Sequence, residues 1–382
     1  MKTTHHLIFG DASRMTAIES NSIHLVVTSP PYPMIQMWDE PFIQQDPRIA
    51  KNMARGQAME AFERMHRILD AVWDEVGRVL VPGGIACINI GDATRTVQDR
   101  FAFYPNHSRI LSHFLKIGFS ALPAILWRKQ TNAPNKFMGS GMMPPGAYVT
   151  LEHEFVLILR KGDKRSFADQ TAKLNRKHSA FFWEERNCWF SDVWMDLKGT
   201  VQKMKDNGAR LRSAAFPLTL PYRLINMFSV KGDLVLDPFS GTATTLRAAM
   251  ATGRNSLGYE LEQAFEPQIL PDPQGFMGQA NTLLAERLQN HLAFIETHQS
   301  AKGPLKHVNR PYGFKVVTSQ EKELLFNELA AIQDLGQASY QVAYRTDPSP
   351  IDLHLPSAGQ LFCEEPANQP AIRQIRQLEL FS

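Results

Sequence analysis

The stretch Thr28-Ser29-Pro30-Pro31-Tyr32-Pro33 decides how the rest of this chain is read. It follows IHLVV, residues 23–27, an apolar run that reads as a short buried strand. Neither Pro30 nor Pro31 has an N–H to give to a sheet ladder, so the strand stops there. The chain therefore leaves the sheet at Ser29, at the strand's carboxyl end, which in open α/β sheets is the edge where ligands bind. The prolines fix φ and leave carbonyl acceptors with no competing donor nearby, and Tyr32 adds a flat face. Rigid acceptors beside an aromatic face suit a planar base with an exocyclic amino group. The competing reading is an ordinary strand-ending Pro-Pro turn.

A second stretch, LVLDPFSGTATT at 234–245, changes the balance. A buried strand at 234–236 ends in Asp237, a turn with Gly241 follows, and a run from Thr244 can start a helix. A glycine turn between strand and helix lets backbone approach a ligand closely. The stretch is neither a GxGxxG fingerprint nor a Walker phosphate loop, because no GK[ST] follows.

Together the two stretches resemble the hallmarks [S/D/N]PP[Y/F] and DPFxGxGTT of the DNA amino-methyltransferases. The resemblance implies that Ser29, Pro30, Pro31 and Tyr32 hold the target base. It implies that Asp237, Pro238, Phe239, Gly241 and Thr242 hold S-adenosyl-L-methionine. Catalytic motif first and cofactor motif second resembles the β group, a circularly permuted version of the fold. Ala243 stands where that family usually has a second glycine; the expectation is a tighter turn with binding retained.

The chain of 382 residues is long enough for a sizeable core with appended pieces. No apolar run approaches the ~20 residues of a membrane span, and the N-terminus turns polar at once, unlike a signal peptide. Cys87, Cys188 and Cys363 are few and widely spaced, which points to a reducing cytoplasm and gives no metal-ligand spacing; no metal is expected. Net charge is only +3, but 160–212 holds 13 Lys/Arg against 7 Asp/Glu, a local +6. A basic segment in an otherwise near-neutral chain is an electrostatic footprint for phosphate, or else a solvated insertion.

Taken in order, a short strand at 7–9 ends at Gly10-Asp11. Asp11 resembles the family acid near the adenosyl group, and equally suits the N-cap of a helix. Residues 34–52 read as a loop, either a flap over the site or a DNA contact. Met59, Phe62, Met65, Leu69, Val72, Val76 and Leu80 recur at helical spacing. Pro82-Gly83-Gly84 reads as a turn into a strand at 85–90, then comes a helix closed by Gly118 and a strand at 121–127. HEFVLILRKG, 153–162, resembles the family's last core strand; His153 and Glu154 are expected to be structural at its start.

The basic segment carries aromatics among its cations, as nucleic-acid surfaces do, although most of those rings suit a small core. Its place between the last core strand and the cofactor half is where β-group enzymes carry the target-recognition region. Within it Arg176 and Lys177 are the expected phosphate contacts. Phe216, in AAFPLTL, resembles the family residue lining the methionine end of the cofactor. Glu260 ends the strand at 256–259, about 20 residues past the first, where an acid accepts hydrogen bonds from ribose hydroxyls. A helix at 280–295 follows, then a polar link, then strand, helix (320–333) and strand before a loose tail.

These readings divide the chain into a catalytic half (1–161), a basic target-recognition insertion (162–212), a cofactor half (213–300) and an appended region (301–382) of unassigned role. The fold class expected is α/β: a Rossmann-like class I methyltransferase, circularly permuted, with a mainly parallel central sheet. The partner expected is double-stranded DNA, with a restriction endonuclease acting on the same site, and the chain itself a monomer or weak dimer. Ser29 rather than Asp points, by the family's habit, to cytosine N4. Adenine N6 is the alternative, and a catalytically silent DNA-binding relative or an RNA or protein methyltransferase are the other classes. No cysteine follows a proline, so the nucleophile of carbon-5 methylation is absent.

Overall fold

The computed structural model describes residues 1–129, 139–197 and 216–345. In chain order come β1 (Lys2–Phe9), β2 (Ile23–Thr28), α1 (Asp39–Gln45), α2 (Arg48–Ala54), α3 (Ala58–Val79) and β3 (Leu80–Ile90). The hairpin β4 (Ala93–Val97) and β5 (Arg100–Tyr104) precedes α4 (Asn106–Lys116), β6 (Phe119–Arg128) and β7 (His153–Lys161). Then follow α5 (Gln170–His178), α6 (Trp183–Trp189), β8 (Val193–Trp194), α7 (Thr219–Phe228), β9 (Leu234–Asp237), α8 (Thr244–Thr252) and β10 (Asn255–Glu260). The last described elements are α9 (Pro273–Lys302), β11 (His307–Val308), β12 (Lys315–Val316), β13 (Leu329–Gly336) and β14 (Ser339–Tyr344).

A ten-stranded sheet in the order β13-β14-β1-β10-β9-β2-β3-β7-β6-β8 runs through the molecule. From β1 to β3 neighbouring strands are parallel, while β7 is antiparallel to both β3 and β6. Numbered from β9, the central strands lie in the order 3-2-1-4-5-7-6. The chain, however, enters at the third of these and reaches the first only at Leu234. That is the circular permutation expected from the motif order.

The strands are buried on both faces, with a period of two. Leu25, Val27 and Cys87 enter a core with α7, α8 and α9; Val26, Ala86 and Ile88 enter a second core with α3 and α4. α3 forms because its apolar residues return every three to four positions: Phe62, Met65, Leu69, Val72, Trp73 and Val76 are all buried. One polar device ties distant segments together. Arg287 of α9 makes two charge-assisted bonds to the buried Glu185 of α6, at 2.6 and 2.8 Å.

Several expectations change. Residues 34–52 are not a loop: α1 and α2 form there because Phe42 and Ile49 find a core to enter. No helix follows Asp11. Ser13 N–H and Oγ donate to its two carboxylate oxygens, each at 2.8 Å, an Asx turn in place of a cap. The expected helix at 320–333 is a single 3-10 turn, Ser319–Glu323, followed by β13. Gln337 and Ala338, both with positive φ, make the tight turn that folds β13 back on β14, which pairs with β1. The described part of the region after residue 300 therefore extends the central sheet through β13 and β14. The segment after β7 is likewise joined to the core, through β8 beside β6 and through Glu185. Phe182, Trp189 and Trp194 are buried, the core role read for most of its aromatics. Residues 130–138, 198–215 and 346–382, among them part of the basic segment, Ala214, Ala215 and the tail, lie outside the described residues.

Candidate active site

The carboxyl ends of β1, β2, β9 and β10 open into a cleft of about 610 Å³. All the residues expected to hold the cofactor line it: Asp11, Phe216, Asp237, Pro238, Phe239, Gly241, Thr242 and Glu260. Ser29 and Pro31 line it as well, and Trp38, Pro41 and Phe42 of the α1 region cover one side. Residues from both ends of the chain's long separation thus share one wall, because β2 and β9 are sheet neighbours.

Asp237 is buried at the end of β9 and its carboxylate is fully engaged. Thr28 Oγ1 donates to Oδ1 at 2.6 Å, Phe239 N–H donates to the same oxygen at 3.1 Å, and Thr245 Oγ1 donates to Oδ2 at 2.7 Å. Burial nevertheless dominates and pushes its pKa up from the ordinary 3.8 to about 6. Glu260, at the end of β10, accepts from Gly241 N–H at 2.8 Å and Glu262 N–H at 2.9 Å. It therefore shapes the glycine turn as well as facing the cleft. Ala243 adopts φ 61°, the left-handed conformation that glycine takes without cost. Its amide closes the turn on Ser240 O at 2.7 Å.

At the end of β2, Pro30 is buried and Tyr32 is turned towards β3 and β7. Tyr32 Oη donates to Glu154 Oε2 at 3.0 Å, and Asn89 Nδ2 donates to both Tyr32 Oη (2.9 Å) and Glu154 Oε2 (2.7 Å). Ser29 Oγ lies 3.0 Å from Tyr32 Oη, and Lys129 Nζ donates to Glu154 Oε1 at 3.0 Å. Burial, and after it the Glu154 carboxylate, raise the Tyr32 phenol well above its ordinary pKa. Gly91 leaves room for the ring: a Cβ there would sit 3.0 Å from Tyr32 Cε2. Buried Asn106 of α4 then pins the loop, donating to Pro33 O at 3.1 Å and to Gly91 O at 3.0 Å.

Sequence reasoning missed Asn89, Asn106 and Lys129, and gave Glu154 only a structural part. The signal lay in strand direction. Because β7 runs antiparallel to β3, with Phe155 opposite Ile90, its amino end lies at the edge where the parallel strands end. An acid at the start of β7 therefore meets the Ser-Pro-Pro-Tyr turn.

Arg176 and Lys177 are not brought to the cleft. They lie on α5, and Arg176 packs over the Phe167 ring at 5.0 Å. The same segment is fastened to the amino end of β9: Arg165 pairs with Asp233 at 2.5 Å, and Asn175 Nδ2 donates to Lys231 O at 2.8 Å. That is the sheet edge opposite the cleft. The expectation rested on the segment's charge and on its place in the chain order, and neither says which edge of the sheet a segment covers. Among the described residues no group of three or more His, Cys, Asp or Glu side chains is placed to hold a metal ion.

Comparison with known proteins bears on this geometry. A family model described as DNA methylase, for N6/N4 methyltransferases, matches residues 23–270. The chain is 46% identical over 325 residues to the Type II methyltransferase M.MthZI of Methanothermobacter thermautotrophicus, covering 85% of this chain and 90% of that protein. It is 50% identical over 278 residues to the Type II methyltransferase M.MjaI of Methanocaldococcus jannaschii, covering 70% and 90%. Among solved structures, TTHA0409 of Thermus thermophilus complexed with S-adenosyl-L-methionine superposes with a TM-score of 0.54 at 34% identity, covering 71% of this chain and 93% of that one.

Proposed function

This chain belongs to the N6/N4 DNA methylase family, and from that premise we propose that it methylates the exocyclic N4 of cytosine in duplex DNA. The observation carrying this reading is that Ser29 and Asp237 line one cleft. The cleft suits S-adenosyl-L-methionine by its donors and acceptors. Glu260 and Asp11 offer carboxylate oxygens to hydroxyl or ammonium groups, Phe239 and Phe265 offer apolar faces to a purine, and the Gly241 turn allows close backbone approach. When bound, the cofactor supplies an electrophilic methyl group on a sulfonium.

This chain's residues do the rest by placement. Ser29 Oγ and the Pro30 carbonyl accept the amino hydrogens and aim the nitrogen lone pair, and positioning of this kind supplies much of the rate. Tyr32, held at its hydroxyl by Asn89 and Glu154, offers a fixed ring face to a base swung out of the duplex. Ser29 in place of an aspartate favours cytosine over adenine. The similarity to two Type II methyltransferases supports a modification role beside a restriction endonuclease; a cytoplasmic monomer or weak dimer completes the reading.

The test is to express the protein in a methylation-free host and sequence its DNA with base-resolved detection. N4-methylcytosine at one fixed sequence is the expected result. N6-methyladenine at a fixed sequence would replace cytosine with adenine, and DNA free of both bases would overturn the reading.

A further inference from the structure

The hydrogen bonds around Tyr32 have a direction, and it is set by Glu154. A carboxylate only accepts, so the single Tyr32 hydroxyl proton goes to Glu154 Oε2, 3.0 Å away. The Tyr32 oxygen then has two lone pairs. Asn89 Nδ2 donates to one at 2.9 Å. The contact of 3.0 Å with Ser29 Oγ can therefore run only one way, with Ser29 donating. A serine hydroxyl has one proton and two acceptor sites. With its proton committed to Tyr32, Ser29 Oγ is left as a pure acceptor on the cleft wall.

From this chain of bonds we infer that Glu154 is a positioning residue for methyl transfer: through Tyr32 it orients the Ser29 hydroxyl so that its lone pairs, not its proton, meet the substrate amine. The inference rests on the amino-group methylation proposed above. An amine that must keep its own lone pair for the methyl group needs acceptors around its hydrogens. A serine free to rotate would donate to that nitrogen lone pair and block it.

Lys129 explains why the residue is Glu and not Gln. Its ammonium donates to Oε1 at 3.0 Å, while Tyr32 and Asn89 both donate to Oε2. Among the described residues these three hydrogen-bond partners all donate, so both oxygens accept. A glutamine would have to turn its NH2 either to Lys129 or to Tyr32. Turned to Tyr32, it would send the phenol proton to Ser29 and reverse the chain. A role confined to pairing with Lys129 would need only one oxygen and would leave the bonds to Tyr32 and Asn89 without consequence.

The experiment measures transfer of labelled methyl from S-adenosyl-L-methionine to unmethylated bacterial genomic DNA. The proteins compared are the wild type, Glu154→Gln, Glu154→Asp, Tyr32→Phe and the double variant Glu154→Gln/Tyr32→Phe. Cofactor affinity, measured by calorimetry, reports that each variant is folded. Glu154→Gln is expected to lower kcat by roughly ten- to a hundredfold, the worth of a hydrogen bond to a charged group, with KM for DNA and cofactor affinity within about twofold of wild type. Glu154→Asp, which keeps an acceptor-only group, should recover part of that loss. In the Tyr32→Phe background, Glu154→Gln should cost little more, because the link is already cut. The inference is overturned if Glu154→Gln keeps wild-type kcat, if Asp recovers nothing, or if the two losses multiply. Wild-type protein that labels no DNA would instead remove the proposed function, a result read separately from the variants.

Discussion

Thr28 and Asp237, 209 residues apart in sequence, are joined side chain to side chain by a hydrogen bond of 2.6 Å. Thr28 is the last residue of β2 and Asp237 the last of β9, and the two strands are parallel neighbours. The bond ties the end that presents Ser29 to the end that presents the glycine turn, across the two halves of the cleft.

Burial of the carboxylate, not the bond, carries a cost at neutral pH. Asp237 has a folded-state pKa of about 6 against an ordinary 3.8, raised by burial. The sign follows: protonated Asp237 stabilises the fold fully below the unfolded value, and this stabilisation is lost as pH rises through about 6. Asp237→Asn should therefore stabilise the cofactor-free protein at pH 7 by up to roughly 3 kcal/mol, a gain that fades as pH falls towards 4. The amide keeps an acceptor for Thr28 and Phe239 N–H, and Thr245 can turn its proton to Val27 O, 3.3 Å away. Thermal unfolding across pH checks this, and an equal shift at pH 4 and pH 7 counts against it. Asp237→Ala and Glu260→Ala, by contrast, are expected to weaken cofactor binding in titration calorimetry.

Ala243 holds a left-handed conformation that costs an L-residue roughly 1–2 kcal/mol. Ala243→Gly removes that strain but loosens the unfolded chain by about 0.4–1 kcal/mol. The net expectation is a small rise in Tm with cofactor affinity preserved. Ala243→Val, a branched residue at a wholly buried left-handed site, should lower Tm clearly. The reverse order of the two variants would show that the turn is not strained.

Asn106 is fully buried and bridges the carbonyls of Pro33 and Gly91, while His66 sits 3.0 Å from its Oδ1. Asn106→Ala leaves those groups without a partner, at about 1–3 kcal/mol for each group left unsatisfied. Destabilisation in urea should come with slower methyl transfer, since the Pro33 end of the Ser-Pro-Pro-Tyr turn is released, while cofactor affinity holds. Unchanged turnover in a destabilised variant would separate Asn106 from the site.

Arg176 and Lys177 lie towards the sheet edge opposite the cleft. Neutralising both should leave DNA affinity, and its slope against salt, close to wild type. Each lost phosphate contact would flatten log K against log salt by about 0.9. A slope lower by that amount per residue would restore the assignment made from the segment's charge.

What the sequence by itself determined was local or carried by a motif. The burial pattern of β2 and β9, the stop at Pro30-Pro31, the glycine turn before α8 and the stripe of α3 all depend on neighbours within a few positions. Period and backbone chemistry are legible there. The order of the two motifs indicated a circular permutation, while the strand at which the sheet is entered came from the pairing of β1 with β10. Tertiary structure alone decided the partners. Glu154 read as a strand start because nothing within ten residues hints at Tyr32, and only the antiparallel course of β7 brings them to 3.0 Å. Asn89 and Asn106 looked like ordinary polar residues until strand ends converged around them. α1 and α2 looked like a loop because Phe42 and Ile49 need a distant core to bury them. Charge and chain order suggested Arg176 and Lys177 as phosphate contacts, but the edge of the sheet their segment covers is set by where Arg165 finds Asp233.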